Sequence, residues 1–130
     1  MTTLPYTALV TLLVLALFFA TAANVGRARI RYGVKAPATS GHEMFERAFR
    51  VQMNTLEAAL VVLPALWLFA AYVADRWAGV IGLVWLAARI WYAAAYLRNP
   101  PSREAAFGIS MLAFAVLWLG AAWAVASVLL

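Results

Sequence analysis

The stretch Glu46-Arg47-Ala48-Phe49-Arg50-Val51-Gln52-Met53-Asn54-Thr55-Leu56-Glu57 opens an apolar run that continues through Ala74. A run of that length can cross a bilayer, because about 20 apolar residues in a helix span roughly 30 Å of hydrocarbon. Ionisable groups near the middle of a span cost about 2.5–3.5 kcal/mol each on insertion scales. Here Glu46, Arg47, Arg50 and Glu57 crowd the mouth of the span, with Gln52 and Asn54 among them. A polar cluster in that position reads first as a functional site.

The rest of the chain agrees with a membrane setting. It is 67% hydrophobic and 12% charged, against about 45–50% and 25% in soluble domains. Four apolar segments predict spans over 4–25, 47–74, 77–98 and 104–130, within a single domain covering 1–130. The fold class expected is therefore an all-α membrane protein, a bundle of four transmembrane helices. Strands fit poorly, since the segments are long and lack polar alternation. The absence of cysteine excludes a disulfide framework, a protein thiolate nucleophile and a cysteine-based metal site. Ala20-Thr21-Ala22 resembles a signal-peptide cleavage site. However, Met1-Thr2-Thr3 carries no positive charge, and the apolar run exceeds the ~7–15 residues of a signal h-region, so the segment reads as a retained span.

Three connections follow. The first, Gly26 to Glu46, holds Arg27, Arg29, Arg31 and Lys35; the second, near Tyr72 to Arg76, is short; the third, Arg98 to Glu104, holds two arginines and Pro100-Pro101. The first and third share one side, and the positive-inside rule assigns it to the cytoplasm, with both termini on the opposite side. The net charge of +5 then reports topology and attraction to membrane lipids rather than nucleic acid.

Helical spacing sorts the polar residues. At about 100° per residue, Glu46, Arg50, Asn54 and Glu57 share one face, whereas Gln52 lies about 200° from Arg50. Polar groups on two sides imply that helix two has protein on both, which an oligomer with helix two near its axis supplies. In the third span Trp85, Arg89, Tyr92 and Tyr96 share a face. Arg89 is too deep to be loop charge and needs a carboxylate or backbone carbonyls, for which Glu57 and Glu46 are the candidates. Two readings stand for each group. Arg89 is a structural ion-pair member or a ligand contact. Glu57 neutralises an arginine or receives an ammonium group. Tyr92 and Tyr96 form an aromatic belt or a site. Glu46 and Arg47 read as boundary residues that pair and snorkel, Arg27 and Arg31 as topology determinants, and His42 receives no role. Chemically, Arg29, Arg50, Arg98 and Arg103 supply cations and the tyrosines, Asn54 and Gln52 supply neutral hydrogen bonds. A small peptide with carboxylates and an amine fits that inventory. No metal cluster, phosphate loop or catalytic triad is present, so a nucleophile must arrive with the ligand.

The block from Phe45 to Glu57 resembles the signature of the MAPEG family, the membrane-associated proteins in eicosanoid and glutathione metabolism. Ala88-Arg89-Ile90-Trp91-Tyr92, followed by Tyr96 and Arg103, is similar to a second family block. The resemblance implies a homotrimer with glutathione, as co-substrate, held in a U shape between subunits. By position it assigns Arg50, Asn54, Glu57, Tyr92, Tyr96 and Arg103 to one subunit and Arg29 and Gln52 to the next. It also makes Arg103 the catalytic residue that holds the thiolate, with no metal. Ile30 and Ala58 depart from the pattern of some relatives, which implies a more open pocket and points away from an eicosanoid substrate. The expected function is a glutathione transferase, with peroxidase activity as an open addition, acting on lipophilic electrophiles that enter from the bilayer. The composition suggests a bacterial inner membrane. The rival readings are a non-catalytic lipid-binding or scaffold member of the same fold, since fold alone does not fix function, and a proton-coupled transporter with Glu57 as relay.

Overall fold

The computed structural model describes residues 3–130; Met1 and Thr2, which open the expected domain, lie outside the described residues. Four helices follow one another: α1 (Pro5–Tyr32), α2 (Glu43–Tyr72), α3 (Asp75–Arg98) and α4 (Glu104–Leu129), with a 3₁₀ turn over Pro100–Arg103 leading into α4. All are long and apolar enough to cross a membrane. The shortest, α3, has 24 residues and reaches about 36 Å at 1.5 Å per residue.

Two helices run past the expected spans. α1 does not stop at residue 25 but runs on to Tyr32, so Arg27, Arg29 and Arg31 lie on helix rather than loop. Nothing in that segment terminates a helix until Gly33, which takes the left-handed conformation at φ 68° and caps the end. Basic residues in the last turn also suit the negative end of the helix dipole. α2 begins at Glu43, ahead of residue 47, because His42 caps it: Nδ1 accepts the Met44 N–H at 3.1 Å. Glu43 and Glu46 then lie in the first turn, where the dipole favours acidic side chains. His42 also stacks on Tyr32, with ring centroids 4.2 Å apart, tying the end of α1 to the start of α2.

Within the chain α2 and α3 are the central pair. Each packs against the other and against both outer helices, while α1 and α4 do not meet among the described residues. The core is apolar, with Val10, Val14, Val62, Leu66, Trp85 and Leu117 buried at its centre. The perimeter is apolar too: Phe19 is 70% exposed and Trp123 78% exposed. Large exposed apolar patches of this kind fit contact with lipid or a partner subunit.

Two details set the packing of α1. It crosses α3 at Gly79, where an added Cβ would stand 2.7 Å from the Cβ of Tyr6, and at Gly82, where it would stand 2.8 Å from Cγ1 of Val10. Small residues at such crossings let helix backbones approach closely. The start of α1 has no cap of its own. Instead Asp75, the first residue of α3, accepts the backbone N–H of Thr7 at 2.9 Å and of Tyr6 at 3.1 Å. Pro5 has no N–H to satisfy at the first helical position.

Candidate functional site

The polar cluster of α2 meets α3 and the start of α4 at one end of the bundle. A cleft of about 210 Å³ there is lined by Arg50, Asn54 and Glu57 from α2, Tyr92 and Tyr96 from α3, Arg103 from the 3₁₀ turn, and Met53. A second hollow of about 280 Å³ adjoins it, sharing Asn54, Tyr92 and Arg103 and adding Glu104 and Phe107. Helical spacing explains the convergence. Arg50, Asn54 and Glu57 are four and three residues apart on α2, and Tyr92 and Tyr96 are four apart on α3, so each helix offers one polar stripe.

Each side chain in the cleft has a definable state. Arg50 and Glu57 are exposed, and neither makes an ion pair or side-chain hydrogen bond among the described residues. Arg103 is held from its own turn, where Nη1 donates to the Pro100 carbonyl at 2.8 Å. Its guanidinium carbon lies 4.9 Å from the centre of the Tyr96 ring. Tyr92 is buried and packs on Tyr96, ring centroids 5.8 Å apart, and on Phe107, 6.2 Å apart. The tyrosine pair therefore forms a wall between α3 and α4.

Arg89 lies under this wall and is 1% exposed. Its guanidinium carbon sits 4.2 Å from the centre of the Tyr92 ring, and Nη2 donates to Asn54 Oδ1 at 2.7 Å. This corrects the expected ion pair, because neither Glu57 nor Glu46 meets Arg89. Glu57 points into the cleft from the exposed side of α2, so the buried cation is met by a neutral amide and an aromatic face. Arg89 Nε has no hydrogen-bond partner among the described residues. The other expected pair is also redrawn. Arg47 bonds Glu43 one turn earlier, Nη2 to Oε1 at 2.6 Å, while Glu46 is exposed and unpaired. The 4-residue spacing of Glu43 and Arg47 places both on one helical face, which adjacent residues 46 and 47 cannot share. Arg47 Nη1 further donates to the Leu97 and Arg98 carbonyls at the end of α3, at 3.3 and 3.4 Å.

Arg29 and Gln52 stand away from the cleft. Gln52 is half-buried on another side of α2, as its 200° offset from Arg50 requires. Arg29 gathers its own following loop. Its Nη1 donates to the Ala38 carbonyl at 2.7 Å and the Val34 carbonyl at 3.4 Å, and its guanidinium carbon lies 4.8 Å from the centre of the Phe45 ring. Sequence reasoning did not place Met53 or Phe107 at the site. Both are apolar residues, and only the helix crossing selects them.

Comparisons with known proteins bear on the family of the whole chain. The model of the MAPEG family matches residues 7–123. An uncharacterized protein of Synechocystis is 46% identical over 120 residues, covering 92% of this chain and 88% of that protein. Microsomal glutathione S-transferase 2 of Homo sapiens is 34% identical over 106 residues, covering 82% of this chain and 72% of that enzyme. Leukotriene C4 synthase of Cavia porcellus is 36% identical over 96 residues, covering 74% of this chain and 62% of that enzyme.

Proposed function

The chain belongs to the MAPEG family and is an integral, multi-pass membrane protein, and from that premise we propose that it is a membrane-embedded glutathione transferase. Its working unit is a homotrimer in which the whole chain acts as one domain. The observation that carries the reading is the cleft where Arg50, Asn54, Glu57, Tyr92, Tyr96 and Arg103 converge. Glutathione at neutral pH has two carboxylates, one ammonium group and one thiol. Arg50 matches a carboxylate, Glu57 matches the ammonium, Asn54 and the tyrosines offer neutral hydrogen bonds, and Arg103 is left for the thiol. The unpaired state of Arg50 and Glu57 supports the fit, since both charges are free for a ligand.

Arg103 is the thiolate partner in this reading. A thiol of pKa about 8.5 is mostly protonated at neutral pH, and the thiolate is the nucleophile. Lowering that pKa by ~2 units takes about 2.7 kcal/mol of preferential stabilisation, within reach of one guanidinium in a partly desolvated cleft. The thiol proton leaves to solvent, and the thiolate forms a sulfur–carbon bond with a lipophilic electrophile that arrives through the bilayer. It either displaces an anionic leaving group, which departs with the bonding pair, or adds to an activated double bond, whose other carbon then takes a proton from solvent. Tyr96 holds the guanidinium over its ring face, and the fixed Pro100 contact limits its movement.

Arg29 and Gln52 belong, in this reading, to the cleft of the neighbouring subunit. Half-burial of Gln52 on the side of α2 away from the cleft supports that arrangement, with α2 near the trimer axis. The basic loop side faces the cytoplasm and both termini face away from it, in a bacterial inner membrane. The test is ultraviolet difference absorbance of the purified protein with glutathione. A thiolate band at neutral pH is expected, together with three-subunit species on cross-linking in mild detergent. A protein that binds glutathione without forming the thiolate, or that binds it as a stable monomer, would overturn the reading.

A further inference from the structure

The last turns of α1 carry a further hollow, at the same end of the bundle as the cleft, that plays no part in the glutathione reading. It encloses about 420 Å³ between the last turns of α1, the start of α2 and the end of α3. Arg27 and Arg31 stand on its rim, and Ala28, Met44, Ala48 and Leu97 form much of its lining. The two arginines are four residues apart, so both side chains face the hollow from one stripe of α1. Both are exposed. Neither has a carboxylate partner, because the one ion pair among the described residues joins Arg47 to Glu43. Arg47 already occupies the carbonyls of Leu97 and Arg98. Neither Arg27 nor Arg31 makes a side-chain hydrogen bond among the described residues.

We propose that this hollow is a binding site for an anionic phospholipid, with Arg27 and Arg31 clasping the phosphate and the apolar lining receiving the first part of an acyl chain. Three observations select this occupant. The charges are positive and uncompensated, so the ligand is an anion. The floor is apolar, with Ala28 and Ala48 buried in a cluster with Val25 and Phe45, so the ligand brings hydrocarbon beside its charge. Arg27 is also the first charge after the run from Leu4 to Val25, with only Gly26 between, which sets the hollow where headgroup meets hydrocarbon. Basic pockets between membrane helices on the positively charged side are suited to anionic headgroups. Planar guanidinium groups further favour bidentate phosphate contacts. Arg31 is also braced from behind, its guanidinium carbon lying 5.6 Å from the centre of the Tyr32 ring, which stacks in turn on His42. The plainer role of these arginines, offsetting the negative end of the α1 dipole, does not call for an apolar floor.

Native mass spectrometry of the detergent-purified protein, titrated with phosphatidylglycerol or phosphatidylcholine, tests the site. Phosphatidylglycerol should bind at least tenfold more tightly and should not be displaced by millimolar inorganic phosphate. The double variant Arg27→Gln, Arg31→Gln should lose that preference, while Arg98→Gln, an exposed arginine outside the hollow, should keep it. The wild-type arms decide the matter even where the double variant inserts poorly. Equal binding of the two lipids, displacement by free phosphate, or a double variant with undiminished preference overturns the proposal.

Discussion

Arg89 and Asn54 clasp each other between α3 and α2, with Arg89 Nη2 donating to Asn54 Oδ1 at 2.7 Å. The contact orients the amide. With Oδ1 committed to the buried arginine, Nδ2 has no partner among the described residues and is left to donate to a ligand oxygen in the cleft that Asn54 also lines.

That orientation separates two variants. Asn54→Ala leaves the buried Arg89 without its acceptor, and an unsatisfied buried donor costs about 1–3 kcal/mol, more when charged. Thermal stability in detergent should fall with glutathione affinity. Asn54→Asp keeps an acceptor for Arg89 but presents no amide donor to the cleft. Its stability should stay within about 1 kcal/mol of wild type while affinity drops about 5–10-fold, the worth of one hydrogen bond. Parallel losses in both variants would count against the orientation.

Glu57→Gln should weaken glutathione binding and leave stability intact. From sequence, Glu57 could have been compensating Arg50 or Arg89, and its loss would then have destabilised the fold. It is exposed and meets neither. Calorimetry with glutathione and a melting curve separate the outcomes. A melting temperature several degrees below wild type would mean that Glu57 supports the bundle after all.

Arg103→Ala should slow conjugation at pH 7 by about 10–30-fold, because the thiol reverts toward its ordinary pKa of about 8.5 and its thiolate fraction drops accordingly. The loss should shrink as pH rises through that value, since hydroxide then removes the proton. Arg98→Ala is the control: its side chain is exposed and lines neither the cleft nor its neighbour. Equal losses in the two variants, or an unchanged pH–rate profile for Arg103→Ala, would falsify the thiolate assignment.

Gly79→Ala should destabilise the bundle by about 1–3 kcal/mol, the usual cost of overpacking, because the new Cβ would stand 2.7 Å from the Cβ of Tyr6. Gly26→Ala is the counterpart. Nothing lies within 4 Å of its added Cβ, and alanine is the better helix former. Thermal melts of the two variants should shift in opposite directions.

The four-helix layout was legible from apolar length alone, and the Arg50, Asn54, Glu57 stripe from helical spacing. What spacing could not supply was the partner of each charge. Arg89 was expected against a carboxylate because a buried cation invites one. The crossing of α2 over α3 brings Asn54 to it instead. Arg29 looked like a loop cation, but the helix persists to Gly33, and its guanidinium returns to the Ala38 carbonyl. His42 gave no sequence signal as a cap, since serine, threonine, aspartate and asparagine dominate that position. Boundaries and pairings of this kind depend on contacts made after the helices dock.

Asp75 gives the bundle an order in time. The ribosome releases α1 long before it releases Asp75, yet the leading N–H groups of α1 find their acceptor only on that carboxylate. Until then the N–H groups of Tyr6 and Thr7 depend on water at the membrane surface, and in hydrocarbon they would be costly. The bond needs the third helix in place beside the first, and it joins the N-terminal ends of α1 and α3 in one cap. Completion of the earliest segment is deferred to a later one, so a nascent chain truncated before Asp75 carries an unfinished first helix.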